Sequence, residues 1–148
     1  MGRSCDFLFA LAILMLLHHH TSLATVPTIS TDEAALLVLK SHISSDPNNI
    51  LARNWSSSAQ CSWIGITCNS RRNRVTALDI SSMQLHGTIP PHLGNLSFLV
   101  SLNINNNTFR GDLLEELAHL QRLKSIDVTG NNFTGAILLS LSLLPNFR

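Results

Sequence analysis

The sequence predicts an α/β solenoid: a right-handed coil of short parallel strands with an irregular, 3-10 or short helical outer side. An N-terminal helical, disulfide-bonded cap is expected to precede the coil. Three observations lead to this fold class. The second half of the chain repeats itself with a period of 24 residues. A segment that favours a helix stands before the repeats, and a closely spaced pair of cysteines lies between the two.

Three consecutive units carry the repeat, at residues 75–98, 99–122 and 123–146, and residues 147–148 begin a fourth. Each follows the spacing L-x-x-L-x-L-x-x-N-x-L, the leucine-rich-repeat signature. Alternate residues in "LDI" and "LNI" point to one side, so each unit begins with a short strand. Stacked units bury one another's apolar faces and form a continuous core. The first apolar columns hold Val75, Leu99 and Leu123; Leu78, Leu102 and Ile126; Ile80, Ile104 and Val128; and Leu85, Phe109 and Phe133.

The ninth position of a unit is predicted to hold a buried asparagine. The chain bends sharply after each strand and leaves backbone groups unpaired, which a side-chain amide can satisfy because it both donates and accepts. Asn107 and Asn131 occupy this position, and we expect them to link each coil to the next. The first unit has Met83 there, so the ladder of amides is expected to begin one coil late.

The cap is predicted to occupy residues 25–74. Residues 31–45 place apolar side chains on one helical face, and Asp46-Pro47 ends the helix because the residue before proline disfavours the helical region. Trp55 and Trp63 are interpreted as residues packed under the cap, with ligand stacking as the alternative. Cys61 and Cys68 are expected to form a disulfide in an oxidising compartment.

Residues 1–24 have the layout of a secretory signal peptide. Phe7 to Leu17 form an unbroken apolar run, and Ser22-Leu23-Ala24 places small residues at the cleavage site. This run is shorter than the about 20 residues that a membrane span needs. We therefore expect export through the secretory pathway to the extracellular space or the outer face of the plasma membrane. The chain has four candidate N-glycosylation sites, at Asn54, Asn95, Asn106 and Asn132.

The composition argues against several classes of function. Charged residues make up 13% of the 148 residues and the net charge is +1, so the chain lacks the dense basic face of a nucleic-acid-binding protein. The basic run Arg71-Arg72-Asn73-Arg74 is interpreted as a solvated loop. No metal site is expected, because two thiolates fall short of four zinc ligands and His18-His19-His20 belong to the signal peptide. No cofactor is expected either.

Outward-facing residues of the strands form the candidate ligand-binding surface on the concave side of the coil. Small polar side chains recur there in columns, and such a row suits hydrogen bonding to a peptide; a merely solvated sheet face is the alternative. Two aspartates in this row lie two strands apart, about 10 Å, with no nucleophile nearby, so no catalytic residue is predicted. The candidate binding residues are Asp79, Ser81, Asn103, Asn105, Asp127 and Thr129.

The motifs "GTIPPHLGNLSFLVSL" and "CSWIGITC", with the helix before them, resemble the N-terminal ectodomain of plant leucine-rich-repeat receptor-like serine/threonine kinases. The resemblance covers residues 31–148. It implies recognition of an extracellular peptide or protein ligand, with a leucine-rich-repeat co-receptor as a further partner. Members of this family also carry a long repeat array, a single transmembrane helix and a cytoplasmic kinase.

This sequence differs from typical members of the family in which of their parts it includes. It has three full repeats, with neither a membrane-spanning run after residue 24 nor the Gly-rich loop, H-R-D or D-F-G motifs of a kinase. We therefore expect no enzymatic activity, and we expect a fragment or truncated copy of a longer receptor. The alternative function is a secreted inhibitor of a microbial cell-wall-degrading enzyme, a class built from the same repeat.

Overall fold

The computed structural model describes residues 30–56, 59–113 and 117–134, with the backbone alone for Ser30. The predicted signal peptide and the part of the third repeat that follows Thr134 lie outside the described residues. Within the described ranges, no helix combines the length and the apolar character that crossing a membrane requires.

The helices and strands follow one another in the order expected for a cap and a coil. The helices are α1 (Ser30–Ser41) and α2 (Ile50–Asn54), with 3-10 turns at Gln60–Ser62 and Pro91–Asn95; residues 117–118 are also helical. The strands are β1 (Ile43–Ser45), β2 (Ile66–Cys68), β3 (Val75–Asp79), β4 (His86–Thr88), β5 (Ser101–Asn103), β6 (Thr108–Asp112), β7 (Ser125–Asp127) and β8 (Asn132–Thr134).

One sheet, which we call the concave sheet, consists of β2, β3, β5 and β7 in that order. Strands β3, β5 and β7 are parallel, and their pairing aligns Leu78 with Leu102 and Leu102 with Ile126. Strand β2 comes from the cap and runs antiparallel to β3. The α/β repeat fold with parallel strands is therefore confirmed, and the cap covers the N-terminal edge of this sheet.

A second sheet, which we call the convex sheet, lies on the other side of the coil in the order β1, β4, β6 and β8. Strands β4, β6 and β8 are parallel, and β1 of the cap pairs antiparallel with β4. The sequence analysis predicted an irregular, 3-10 or short helical outer side, which describes Pro91–Asn95 but misses this sheet. These strands are mostly polar: β4 has no apolar side chain, and β6 and β8 have one phenylalanine each, so the sequence shows no apolar alternation there.

Two glycines allow the cap strands to approach the first coil closely. Gly65 has φ +77°, and a Cβ atom there would lie 2.1 Å from the carbonyl oxygen of Asp79. Gly87 has φ +152°, and a Cβ atom there would lie 2.3 Å from the carbonyl oxygen of His42. Any side chain at either position would therefore push the cap away from one of the two sheets.

The helix of the cap ends earlier than the sequence predicted. The prediction placed it at residues 31–45, whereas α1 ends at Ser41 and Ile43–Ser45 is strand β1. The N–H of Thr88 donates to the carbonyl of His42 at 3.2 Å, so the chain exchanges helical hydrogen bonds for pairing with the convex sheet. A partner that lies more than 40 residues away cannot be seen in the local pattern on which the prediction rested.

Two asparagines link neighbouring coils by hydrogen bonds, as the sequence predicts. Each of them bonds to the coil before it rather than to the next one. The Asn107 side chain accepts from the N–H groups of Met83 (3.2 Å) and Leu85 (2.9 Å) and donates to the carbonyl of Ile80 at 2.8 Å. Asn131 makes the equivalent contacts one coil later, including 2.8 Å to the carbonyl of Ile104. The first coil therefore receives its amide from the second, and Met83 leaves no gap in the ladder.

A buried ion pair joins the cap to the first repeat. Asp32 of α1 is fully buried, and its carboxylate accepts from Arg74 Nη2 at 2.7 Å and Nε at 2.9 Å. The same carboxylate accepts from the N–H of Val75 at 2.9 Å. The hydrogen bond that Arg74 donates to Asp32 raises the pKa of Arg74. Burial acts to lower this pKa, and the Coulomb attraction of Asp32 acts to raise it. The interpretation of the basic run as a solvated loop was therefore wrong for Arg74, because its buried partner lies 42 residues earlier in the chain.

Aromatic packing and a disulfide complete the cap. Trp55 and Trp63 are buried and stacked with their ring centroids 5.4 Å apart, which supports packing over ligand stacking. The Trp55 indole N–H donates to the carbonyl of Ile64 at 3.1 Å. Cys61 and Cys68 form the expected disulfide. The buried residues of the cap and of the repeats thus form one continuous hydrophobic core.

We expect Asp32→Asn to lower the free energy of unfolding by about 3 kcal/mol, because it leaves the guanidinium of Arg74 without a counter-charge in a largely buried position. Urea titration followed by tryptophan fluorescence measures this, since both indoles are buried in the adjacent cap. Glu33→Gln removes a charge from the neighbouring helix position and serves as the control. Equal urea midpoints for the two variants would contradict the assigned role of the ion pair.

We expect Asn107→Ala to lower the free energy of unfolding by about 3 kcal/mol, because buried donors and an acceptor of the first coil lose their partner. The same urea titration applies, with Asn48→Ala in the exposed loop after α1 as the control. That control is expected to change stability by less than about 0.5 kcal/mol. An Asn107→Ala protein as stable as the control would show that the ladder does not hold the coils together.

Candidate ligand-binding face

The structure brings the six candidate binding residues together on the outward surface of the concave sheet. Strand pairing places Asn103 between Asp79 and Asp127, one residue per strand. The other three follow directly after the strands, where the chain turns away from the sheet. All six are exposed or half-buried: Asp79, Ser81, Asn103, Asn105, Asp127 and Thr129.

Each aspartate of this row is held by the residue two positions later and by an asparagine. One oxygen of Asp79 accepts from the Ser81 hydroxyl at 2.7 Å and the Ser81 N–H at 3.1 Å, and the other accepts from Asn103 Nδ2 at 3.3 Å. Asp127 repeats the pattern with the Thr129 hydroxyl at 2.7 Å and Asn105 Nδ2 at 2.8 Å. The side chains are therefore fixed in position before any ligand arrives.

These hydrogen bonds lower the pKa of both aspartates. For Asp79, partial burial acts to raise the pKa, but the Ser81 hydroxyl and N–H and the Asn103 amide together outweigh it. For Asp127, the Thr129 hydroxyl, the Thr129 N–H and the Asn105 amide all lower the pKa, and burial opposes them slightly. Both side chains therefore stay ionised at mildly acidic pH.

The row is suited to binding rather than to chemistry. Asn103 separates the two aspartates, so they lie two strands apart, about 10 Å, too far to share a proton. Within the described parts of the chain, no group of three or more His, Cys, Asp or Glu side chains lies together as a metal site would require. The exposed carboxylate oxygens can accept hydrogen bonds from amide, hydroxyl or ammonium groups of a ligand.

The convex sheet carries a cavity of about 250 Å³ that the sequence analysis missed. Residues from all four strands of that sheet line it. Two of these side chains, His86 and Arg110, are ionisable, and the lining contains no carboxylate. The lining residues are Ser44, His86, Gly87, Thr108, Arg110 and Asn132.

The four predicted glycosylation sites are exposed in the structure. Asn54 accepts a hydrogen bond from the N–H of Ile64, and Asn106 donates to the Ser82 hydroxyl at 3.1 Å. Asn95 lies in the 3-10 turn Pro91–Asn95, and Asn132 lies on β8 of the convex sheet. A glycan at Asn132 or Asn95 would therefore leave the row of aspartates uncovered.

Sequence reasoning also missed a cluster at the edge of the concave sheet where the strands begin. Arg74, Phe98 and Arg122 occupy equivalent positions of successive units, and the two guanidinium carbons lie 4.7 Å and 4.2 Å from the centre of the Phe98 ring. Arg72 joins them at 5.6 Å. The signal was present in the 24-residue alignment, but this column mixes basic and aromatic residues and does not stand out as apolar or polar.

Comparison with family models agrees with this architecture. The leucine-rich-repeat N-terminal domain matches residues 29–69. The leucine-rich repeat matches three times, at residues 74–96, 98–120 and 122–144. Each repeat match begins one residue before the corresponding predicted unit, at the column that contains Arg74, Phe98 and Arg122.

Similar curated proteins are plant receptor kinases. A probable leucine-rich-repeat receptor-like serine/threonine-protein kinase of Arabidopsis thaliana is 44% identical over 97 residues, which cover 65% of this chain and 9% of that protein. The Arabidopsis kinase EFR is 46% identical over 74 residues, covering 49% of this chain and 7% of EFR. The chain thus spans less than a tenth of these relatives.

A similar solved structure is the Arabidopsis receptor kinase HAESA in complex with the peptide hormone IDA and the co-receptor SERK1. It superposes with a TM-score of 0.70 at 32% identity, covering 80% of this chain and 20% of that one. The family models likewise match a cap followed by three repeats. The chain therefore belongs to the leucine-rich-repeat family and has the cap-and-repeat organisation of a plant receptor-like kinase ectodomain.

Proposed function

We propose that the chain recognises an extracellular peptide or protein ligand through the outward surface of its concave sheet. Asp79, Asn103 and Asp127 contact the ligand along one column, and Ser81, Asn105 and Thr129 do so along the next. The observation that carries the proposal is the repeated, fixed hydrogen-bond arrangement around the two aspartates, which keeps carboxylate oxygens ionised and exposed. The function is signal perception, in defence or development.

The comparisons support a receptor over the alternative function. The relatives that match are named receptor kinases, and the HAESA structure contains a peptide hormone and a co-receptor of that protein. By analogy, a leucine-rich-repeat co-receptor is the second expected partner of this chain. No observation favours the secreted inhibitor of a microbial cell-wall-degrading enzyme.

Two further parts of the proposal concern chemistry and location. Phosphate transfer belongs to the kinase relatives as whole proteins, and the described residues form a binding surface; we propose no enzymatic activity for this chain. Export, removal of residues 1–24 and glycosylation at Asn54, Asn95, Asn106 and Asn132 place the chain outside the cell. Exposure of all four asparagines supports this part.

An array of synthetic plant extracellular peptides, probed with the full chain secreted from insect cells, tests ligand recognition. We expect at least one peptide to bind, and the double variant Asp79→Asn/Asp127→Asn to weaken that binding about tenfold, because hydrogen bonds to a charged acceptor become neutral ones. Asp112→Asn makes the same chemical change on the convex sheet and is expected to bind like the wild type. If the double variant also binds like the wild type, the concave row is not the recognition surface.

The lowered pKa values of Asp79 and Asp127 predict how this binding depends on pH. Because both side chains lose their charge only below their ordinary range, the affinity for the array peptide should hold between about pH 7 and about pH 5 and fall below about pH 4. Isothermal titration calorimetry at a series of pH values measures this. The double variant, which has no such charges, should lack the acid-induced loss, and a loss already complete at about pH 5 would contradict the assignment.

A further inference from the structure

A cluster that we call the basic rim lies where the strands of the concave sheet begin; it consists of Arg72, Arg74, Phe98 and Arg122. All three guanidinium carbons lie within 5.6 Å of the centre of one half-buried ring. Like charges brought this close repel one another, since a Debye length at physiological salt is about 8 Å. The ring offsets part of this cost through cation–π contact, but it carries no negative charge.

Among the described residues, only part of this positive charge has a carboxylate partner. Arg74 directs its donors to Asp32 and to the Ser97 hydroxyl, so it is committed to the fold. Among the described residues, no carboxylate lies within 4.0 Å of the guanidinium groups of Arg72 and Arg122. Both side chains are exposed. Two exposed guanidinium groups with no carboxylate partner among the described residues therefore stand beside a third that is fixed in place.

Contact with the ring also holds these groups close together for binding an anion. The guanidinium carbons of Arg122 and Arg72 lie 4.2 Å and 5.6 Å from the centre of the Phe98 ring, and a carboxylate can accept two N–H donors of a guanidinium in a bidentate manner. Phe98 thus acts as a platform that holds Arg122, from the following coil, and Arg72, from the loop after β2.

The two ends of the strands in the concave sheet carry opposite charge. The basic rim stands where the strands begin, and Asp79 and Asp127 stand where they end; Asp127 lies five positions after Arg122. At the rise of an extended strand this separation is about 17 Å. A uniformly acidic chain, such as an acidic polysaccharide, would meet repulsion at the aspartates, whereas a polypeptide can carry both signs.

Building on the proposed function, we propose that the ligand is a polypeptide segment of mixed charge that lies along the strands. Its acidic side chains bind Arg72 and Arg122 over the Phe98 platform, and its basic side chains bind the row of Asp79 and Asp127. The spacing between the two charged groups of the ligand matches about five residues of extended chain.

The test uses synthetic peptides of about eight residues and the full chain secreted from insect cells, with binding measured by calorimetry. One peptide has glutamates at one end and lysines at the other, the second is all glutamate, and an oligogalacturonate represents an acidic polysaccharide. We expect the mixed peptide to bind most tightly. A probe of uniform negative charge that binds as tightly, or no binding of the mixed peptide, would overturn the proposal.

Variants separate the basic rim from general electrostatic attraction. Arg122→Gln and Arg72→Gln are each expected to weaken the mixed peptide about tenfold, and Phe98→Leu is expected to weaken it without any change of charge. Lys124→Gln removes the same charge two residues from Arg122 and is expected to change affinity less than about twofold. An equal loss of affinity for Lys124→Gln would show that net charge alone explains the effect, and this would overturn the proposal.

The same variants distinguish failure of this inference from failure of the proposed function. If the basic-rim variants leave the array peptide unaffected while Asp79→Asn/Asp127→Asn weakens it, the inference fails and ligand recognition by the concave row stands. If neither set affects any peptide, both fail. All variants are first compared with the wild type in urea titration, so that a loss of binding is not mistaken for a loss of folding.

Discussion

Successive coils of this protein can hydrogen-bond to one another only if each returns to the same position after 24 residues. That constraint aligns Leu78, Leu102 and Ile126 across three strands and places Asn107 within reach of the preceding coil. A single inserted residue would turn the inward side of a strand outward, because strand side chains alternate. The core, the two sheets and the amide ladder are all consequences of this one register.

The same register orders the surface. Residues at equal positions of successive units stand side by side, so a motif that recurs at the repeat spacing becomes a row. The D-x-S and D-x-T motifs become the row of aspartates with fixed hydrogen-bond partners. The column of Arg74, Phe98 and Arg122 becomes the basic rim. Both surfaces lie on the concave sheet, one at the start and one at the end of its strands, which is why a single ligand can contact both.

The cap makes this arrangement stable at its N-terminal side. An open coil would expose apolar side chains and two strand edges. Strands β1 and β2 pair with these edges, and the ion pair between Asp32 and Arg74 locks α1 against the first repeat. Arg74 therefore belongs to both the cap anchor and the basic rim, because it bonds to Asp32 and also contacts the Phe98 ring.

The sequence by itself determined the period, the strands of the concave sheet, the amide positions, the cysteine pair and the six polar residues of the candidate site. Each of these follows from a pattern that repeats along the chain or from residues close together in sequence. Tertiary structure alone decided the end of α1 at Ser41, the convex sheet and the pairing of Asp32 with Arg74. These features depend on partners more than 40 residues apart or on mostly polar strands that show no apolar alternation, and local periodicity carries no information about either.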